Sequence, residues 1–488
     1  VEVCRDRACA TVVSSFDVAG SSGGPPADLP PGTLFWRLRG RLGATVGTTA
    51  SVAWEFTVPT RTTGVGTAWG SVFDPNGDGV SDLLAGAPNT GGGTGRSYIY
   101  PGRAAAGLST TYLTRLTGLA GPNAYYGNSV ASAGDVNGDG YADTLIGSYL
   151  ANVSNGRIDL YFGGAGGPGL VPSNTVLSPD TGAYFGYSVA GVGDLNRDGY
   201  ADLAVGGYLA NGGRGRVYVF YGQLGGIPAR PSVTLESPAT GSASFGISVA
   251  GVGDVNGDLY SDLLVGANGV NTNVGAAYLY PGSASGVAAT PAVTFAGVDA
   301  RGSFGYAVGG VGDVNGDGFP DLGVGAYTAL TNTGRAFVYL GRVGAPSATA
   351  SFALTGPDAS GYFGYPVTSA GDVNGDGFSD VLVGAQNALS TVGRAHVFFG
   401  GAGGIGATPN ATLTGPDGTS GAFGYGAASV GDVNADGYGD IAIGAYTAAS
   451  GAGRVHVFLG SAAGIPRTPA TSLTGPDGAG SQFGTSVD

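Results

Sequence analysis

The stretch GDVNGDGFSD, residues 371–380, places Asp372, Asn374, Asp376 and Asp380 at alternate or near-alternate positions with glycines between them. Carboxylates that close repel one another unless a cation lies among them. Ca²⁺ takes about six to eight oxygens, and a tight loop offers oxygens from alternate positions. The donors would be those four side chains and the backbone carbonyl of Phe378. The neutral Asn374 oxygen limits repulsion, and Gly375 and Gly377 let the backbone turn inward. Mg²⁺ suits such a loop less, because it demands a rigid octahedron and keeps its water. The plain alternative is a set of Asx turns with no metal.

The same phrase, D-x-N-x-D-x-x-x-D, starts at Asp74, Asp135, Asp194, Asp254, Asp313, Asp372 and Asp432, at intervals of 61, 59, 60, 59, 59 and 60. The offsets then name seven donor sets. These are Asp74, Asn76, Asp78, Val80 and Asp82; Asp135, Asn137, Asp139, Tyr141 and Asp143; and Asp194, Asn196, Asp198, Tyr200 and Asp202. The fourth and fifth are Asp254, Asn256, Asp258, Tyr260 and Asp262, and Asp313, Asn315, Asp317, Phe319 and Asp321. The last two are the 372–380 set and Asp432, Asn434, Asp436, Tyr438 and Asp440. Seven recurrences favour metal over turn, and the expectation is about seven Ca²⁺, one per repeat. Seven loops of three aspartates hold 21 of the 34 acidic residues, and seven Ca²⁺ would balance the net charge of −14. The acidity is therefore site charge more than a diffuse acidic surface. Leu259, Arg197 and Ala435 stand where other loops carry Gly, and loop four is expected to bind more weakly.

Each repeat has one layout. In the third, residues 184–194 alternate toward strand character, and the acidic loop follows. DLAVGGY (202–208), GRVYVFYG (215–222) and PSVTLESP (231–238) then read as three more short strands between turn residues. Four-stranded units repeated at this period predict an all-β fold, a seven-bladed β-propeller, over residues 61–488. A linear row would leave exposed strand edges. Separate 60-residue domains would bury too little apolar surface to stand alone.

Composition narrows the partners. The pI is near 4.4 and no basic patch appears, which argues against nucleic acid. There is no Lys, so Schiff-base chemistry is excluded. No apolar run approaches the length that spans a bilayer. The chain opens at Val1 and contains no Met, so it reads as a processed or excised piece. Cys4 and Cys9 are the only cysteines. Five residues apart, they suit a disulfide over a tight bend, which would place the chain outside the cytoplasm.

YFGYSVAGVGDLNRDGYADLAVGGY (184–208) resembles an FG-GAP repeat, the unit of the integrin α-chain propeller. The Phe-Gly pair recurs at Phe185-Gly186, Phe245-Gly246, Phe304-Gly305, Phe363-Gly364 and Phe423-Gly424, and Tyr126-Gly127 and Val65-Gly66 are weaker versions. The second half is literal only at Gly86-Ala87-Pro88. The resemblance covers about 65–488. It implies a Ca²⁺-stabilised propeller and leaves the ligand open. LPPGTLFWRLRG (29–40) and SVAWEFTV (51–58) look like the last strands of a fibronectin type III-like β-sandwich, so residues 1–60 are expected to be a partial module. SQFGTSVD (481–488) begins an eighth unit or completes the ring.

The acidic loop joins strands one and two, so the two–three and four–one turns face the other end. That end carries Tyr149, Tyr208, Tyr327 and Tyr446 in one set and Tyr125, Tyr184 and Tyr362 in another, while the fourth repeat has Asn268 and Ser244 instead. Tyrosines there suit stacking on sugars or gripping a protein. They equally suit packing between blades. Catalysis finds little support. His396 and His456 share a strand slot with Tyr and Phe in other repeats and read as packing. The one G-x-S-x-G match, Gly20 to Gly24, lacks a strand-to-helix elbow. The expectation is an extracellular or cell-surface module for adhesion or recognition of a protein or glycan. The alternatives are a structural scaffold and a non-catalytic part of a larger secreted enzyme.

Overall fold

The computed structural model describes residues 1–5, 9–18, 25, 29, 32–42, 45–51, 54–58 and 73–488. The Gly20–Gly24 match and the Val65-Gly66 pair lie outside the described residues.

At the N-terminal end four strands form one antiparallel sheet in the order Val12–Ser15, Glu2–Cys4, Gly32–Arg37 and Trp54–Val58, and Arg39–Leu42 pairs with Thr45–Ala50. Cys4 and Cys9 are joined in a disulfide and pack with Phe35 in a small buried cluster. The Phe35 ring lies over the first acidic loop, where a Cβ added to Gly79 would meet it at 3.4 Å.

Seven sheets then follow one another from Leu83 to Thr474; the first has three strands and the other six have four. The strands of each sheet pair antiparallel in chain order, which makes this part of the chain a β-propeller. In the third sheet Ser188–Gly193 pairs with Asp202–Gly207, that strand with Arg216–Phe220, and that one with Val233–Glu236. The second and third strands are almost wholly buried, which explains their near-continuous apolar runs. The inner strand carries a bulge between Gly191 and Gly193, where Gly193 takes a φ of +70°. The five other four-stranded propeller sheets have the same irregularity just before the first Asp of the loop. It aims the acidic loop out of the ladder.

The first sheet takes its inner edge from the far end of the chain. Leu84 N–H donates to Asp488 O at 2.8 Å, Gly86 N–H to Ser486 O at 2.9 Å, and Gly484 N–H to Gly86 O at 2.9 Å. Residues of the first and seventh sheets share one core with Phe483 and Val487.

Neighbouring sheets meet through the Phe-Gly pair. Phe245 is fully buried between the third and fourth sheets. Gly246 comes so close to the third sheet that a Cβ on Gly206 would lie 2.0 Å from its carbonyl oxygen. Two polar clasps back this apolar wedge. An inner one runs from a strand-one serine to the next sheet, as where Val249 N–H donates to Ser188 Oγ at 3.0 Å. An outer one pairs an arginine with an aspartate of the preceding sheet's last turn, as in Arg394–Asp358 at 2.8 Å.

Replacing Gly206 with Ala forces a backbone collision that no rotamer relieves. G206A is expected to cost about 3 kcal/mol or more, while Gly164, with open space where a Cβ would point, tolerates Ala. Thermal unfolding of both variants checks this; equal melting temperatures would contradict the close approach.

Candidate functional site

Two ends of the ring concentrate chemistry. At the first, the acidic loops are nests of backbone N–H groups wrapped around carboxylates. In 371–380, Asp376 N–H and Gly377 N–H donate to the two oxygens of Asp372 at 3.1 and 3.0 Å. Asp376 N–H also reaches Asn374 Oδ1 at 3.0 Å, and Phe378 N–H donates to Asp376 Oδ1 at 3.0 Å. Asn374 Nδ2 donates to Asp376 Oδ2 at 2.9 Å. The other six loops place the seventh residue alike: the N–H of Val80, Tyr141, Tyr200, Tyr260, Phe319 and Tyr438 donates to the fifth-position aspartate.

The ninth-position aspartate does more than the offsets alone suggest. Asp380 is fully buried and accepts Val373 N–H at 3.0 Å and Gly400 N–H at 2.9 Å. The bond to the glycine twenty residues on recurs from Asp82, Asp143, Asp202, Asp262, Asp321 and Asp440. Each pins its loop to the end of strand three. That glycine was the available signal in the sequence, twenty residues after every ninth-position Asp.

The seventh residue also joins neighbouring loops. A Cβ on Gly138, Gly257 or Gly316 would strike the ring of Tyr200, Phe319 or Phe378 at 2.6–2.8 Å. Arg197 replaces that glycine in the third loop and sets its guanidinium 5.6 Å from the Tyr260 ring centre. Leu259 holds a φ of +75° and keeps the N–H bond to Asp254 that glycine makes elsewhere.

Among the described residues no three Asp, Glu, His or Cys side chains stand grouped as a preformed cation cage. Two observations still fit a hard cation. The donors are oxygens of the right kind, and burial disfavours the charged form of the ninth-position carboxyls, a cost that a nearby cation would offset. Burial pushes Asp380 up to about 8, against N–H bonds from Gly400 and Val373 and with repulsion from Asp372 and Asp376. Asp82 is pushed to about 9 and Asp262 to about 7 by the same causes.

A carboxyl whose folded value lies above its unfolded value near 4 binds protons preferentially in the fold, so stability falls as pH rises between the two values. In EDTA the melting temperature is expected to drop as pH rises from about 5 to about 8.5. A calorimetric series with a flat or rising profile would contradict these burial assignments.

At the opposite end lie the tyrosines. Neighbouring members of the two expected sets come together: ring centres are 5.9 Å apart for Tyr125–Tyr149, 5.5 Å for Tyr149–Tyr184, 5.6 Å for Tyr184–Tyr208 and 5.6 Å for Tyr327–Tyr362. Four further tyrosines sit closer to the axis, namely Tyr187, Tyr306, Tyr365 and Tyr425. Tyr187 lies 4.7 Å from Tyr208, Tyr306 4.6 Å from Tyr327, and Tyr425 4.5 Å from Tyr446. Tyr365 bridges Tyr306 at 5.1 Å and Tyr425 at 5.2 Å. Each of these four follows a Phe-Gly pair directly, a signal that the two-set reading passed over. All eleven are half-buried. Burial raises the Tyr208 and Tyr327 phenols to about 12, so they stay neutral.

His456 is buried between sheets, with Nε2 2.8 Å from Asp417 and Nδ1 2.8 Å from Ser472 Oγ. His396, in the equivalent slot, packs on Phe363 with ring centres 5.5 Å apart, and burial lowers it to about 4.

Four stretches, residues 185–220, 304–339, 363–398 and 423–458, match the FG-GAP repeat. The chain is homologous to integrin alpha chains. It is 41% identical to integrin alpha-IIb of Homo sapiens over 174 residues, covering 33% of this chain and 17% of that one. It is 35% identical to integrin alpha-V of Gallus gallus over 217 residues, covering 42% of this chain and 20% of that one. The matches thus span a fifth or less of these relatives' own length. A solved protein from Lactobacillus plantarum aligns over 84% of this chain and 98% of its own, with a TM-score of 0.50 at 14% identity, a likeness of fold.

Proposed function

We propose that this protein is an extracellular recognition module of the adhesion type, whose tyrosine-bearing end binds a protein or glycan partner while Ca²⁺ in the acidic loops stiffens the other end. The observation that carries the reading is the fourth sheet. It has the same four strands and register as its neighbours, yet holds Ser244, Ile247 and Asn268 where others hold tyrosine. Ring closure therefore does not require tyrosine at these positions, and a half-buried aromatic surface beyond what packing needs points to a partner. The homology to integrin alpha chains supports an adhesion role. The disulfide supports an oxidising compartment. Among the described residues no helix is long and apolar enough to cross a membrane.

In this reading the residues at offsets one, three, five, seven and nine of each loop hold the ion, and its charge relieves the buried ninth-position carboxyl. EDTA is expected to lower the melting temperature markedly at pH 7.5, and Asp376→Ala to remove one site by calorimetric Ca²⁺ titration while the rest persist. An unchanged melt would remove the structural role from the metal.

The binding role is tested with glycan and matrix-protein arrays, probed with the Ca²⁺-loaded chain and with Tyr149→Ala and Tyr327→Ala. A saturable signal that both substitutions weaken is expected. Blank arrays, or hits indifferent to both, would count against the tyrosine end as the binding face.

A further inference from the structure

We infer that the partner at the tyrosine end is a linear, uncharged glycan lying across the ring axis, with its ends leaving over the first and fourth sheets. This rests on the tyrosine end being the binding face.

The pattern of the gaps carries the inference. The tyrosines form two arcs. One belongs to the second and third sheets and runs through Tyr149, Tyr184 and Tyr208 to Tyr187. The other belongs to the fifth, sixth and seventh sheets and runs from Tyr327 and Tyr306 through Tyr365 and Tyr425 to Tyr446. The arcs approach one another at the axis, where Tyr187 of one and Tyr306 of the other lie close enough to interact electrostatically. They are interrupted twice, by Ser244, Ile247 and Asn268 of the fourth sheet and by Pro88, Gln482 and Thr485 around the first. In a ring of seven sheets the first and fourth stand on opposite sides. A straight ligand between the breaks therefore crosses the axis, with tyrosines beneath it and on both flanks.

The polar groups fit the same ligand. The carboxylates at this end are engaged, Asp180 by Arg216, Asp299 by Arg335, Asp358 by Arg394, Asp417 by Arg454 and Asp477 by Arg96. At the break by the first sheet a shallow hollow opens, lined by Asn89, Thr90, Asp477 and Ser481. Asn89 donates to Gly480 O and Thr90 to Asp477, so the hollow offers the side-chain oxygens of Asn89 and Thr90 as acceptors, which match a chain that stacks its C–H faces on the aromatic floor and donates its hydroxyls at the ends. A site open at both ends suits a polymer longer than the site itself.

The test is calorimetric titration of the full Ca²⁺-loaded chain with neutral hexaoses of β-1,4-glucose, β-1,3-glucose, β-1,4-mannose and α-1,4-glucose, and with the matching disaccharides. At least one hexaose is expected to bind about tenfold or more tighter than its disaccharide. Tyr208→Ala in one arc and Tyr446→Ala in the other are each expected to weaken it by up to about tenfold, with Tyr→Phe at either position close to the parent, since stacking outlasts loss of the hydroxyl. Melting curves of the variants show that the fold survives. Four silent hexaoses, or hexaose and disaccharide binding alike, would overturn the inference. If the hexaoses fail while an arrayed protein binds and loses binding in Tyr149→Ala, the glycan is wrong and the face stands. If the tyrosine substitutions leave all binding intact, both readings fall.

Discussion

A four-stranded sheet of five-residue strands cannot cover its own two faces, so everything here depends on how each sheet is sealed against the next. The seal is the Phe-Gly pair. The phenylalanine fills the space between two sheets, and the glycine lets two backbones come within a distance that forbids any Cβ. Both halves are needed. The ring alone would prop the sheets apart, and the close approach alone would leave a void along the seam. With about sixty residues per repeat, no unit can stand without its neighbours, and stability accrues seam by seam.

The polar clasps are distributed as that dependence requires. The seams from the first to the fifth sheet carry the inner serine clasp, at Ser486, Ser129, Ser188 and Ser248. Ala307, Pro366 and Gly426 stand in the equivalent place on the next three, and those seams carry the outer Arg–Asp pair instead. The seam between the third and fourth sheets shows the converse. Ala276 and Ala239 replace both members of the outer pair, and Ser188 holds the inner one. Arg157, whose preceding turn offers no aspartate, pairs with Asp159 on its own strand. Loss of one partner therefore comes with loss or rerouting of the other, which avoids a buried unpaired charge.

Much of this was legible from residue order alone. The seven acidic phrases and the strand periodicity led to an all-β propeller, because period-two patterns and evenly spaced turns leave few alternatives. The tyrosine sets were legible because turns alternate ends in an antiparallel meander. Other features were not. Tyr187, Tyr306, Tyr365 and Tyr425 became visible as an axial cluster only when the ring brought residues more than two hundred positions apart together. The Gly400 N–H bond to Asp380 joins a strand end to a loop; the glycine twenty residues on recurs in every repeat, but nothing in the sequence shows that its N–H turns to the carboxylate. Asp477 reading Arg96 and Tyr98 across the seam is likewise a product of closure.

In the proposed function one end of the ring is stiffened by calcium and the other recognises a partner, with rigid seams between them. Hydrogen exchange with and without Ca²⁺, read by mass spectrometry along the whole chain, tests that division most directly. With Ca²⁺ bound, slower exchange is expected in the loops beginning at Asp74, Asp135, Asp194, Asp254, Asp313, Asp372 and Asp432, with little change in the turns around Tyr149, Tyr208, Tyr327 and Tyr446. Protection centred on the tyrosine turns, or no Ca²⁺ effect in the acidic loops, would contradict it.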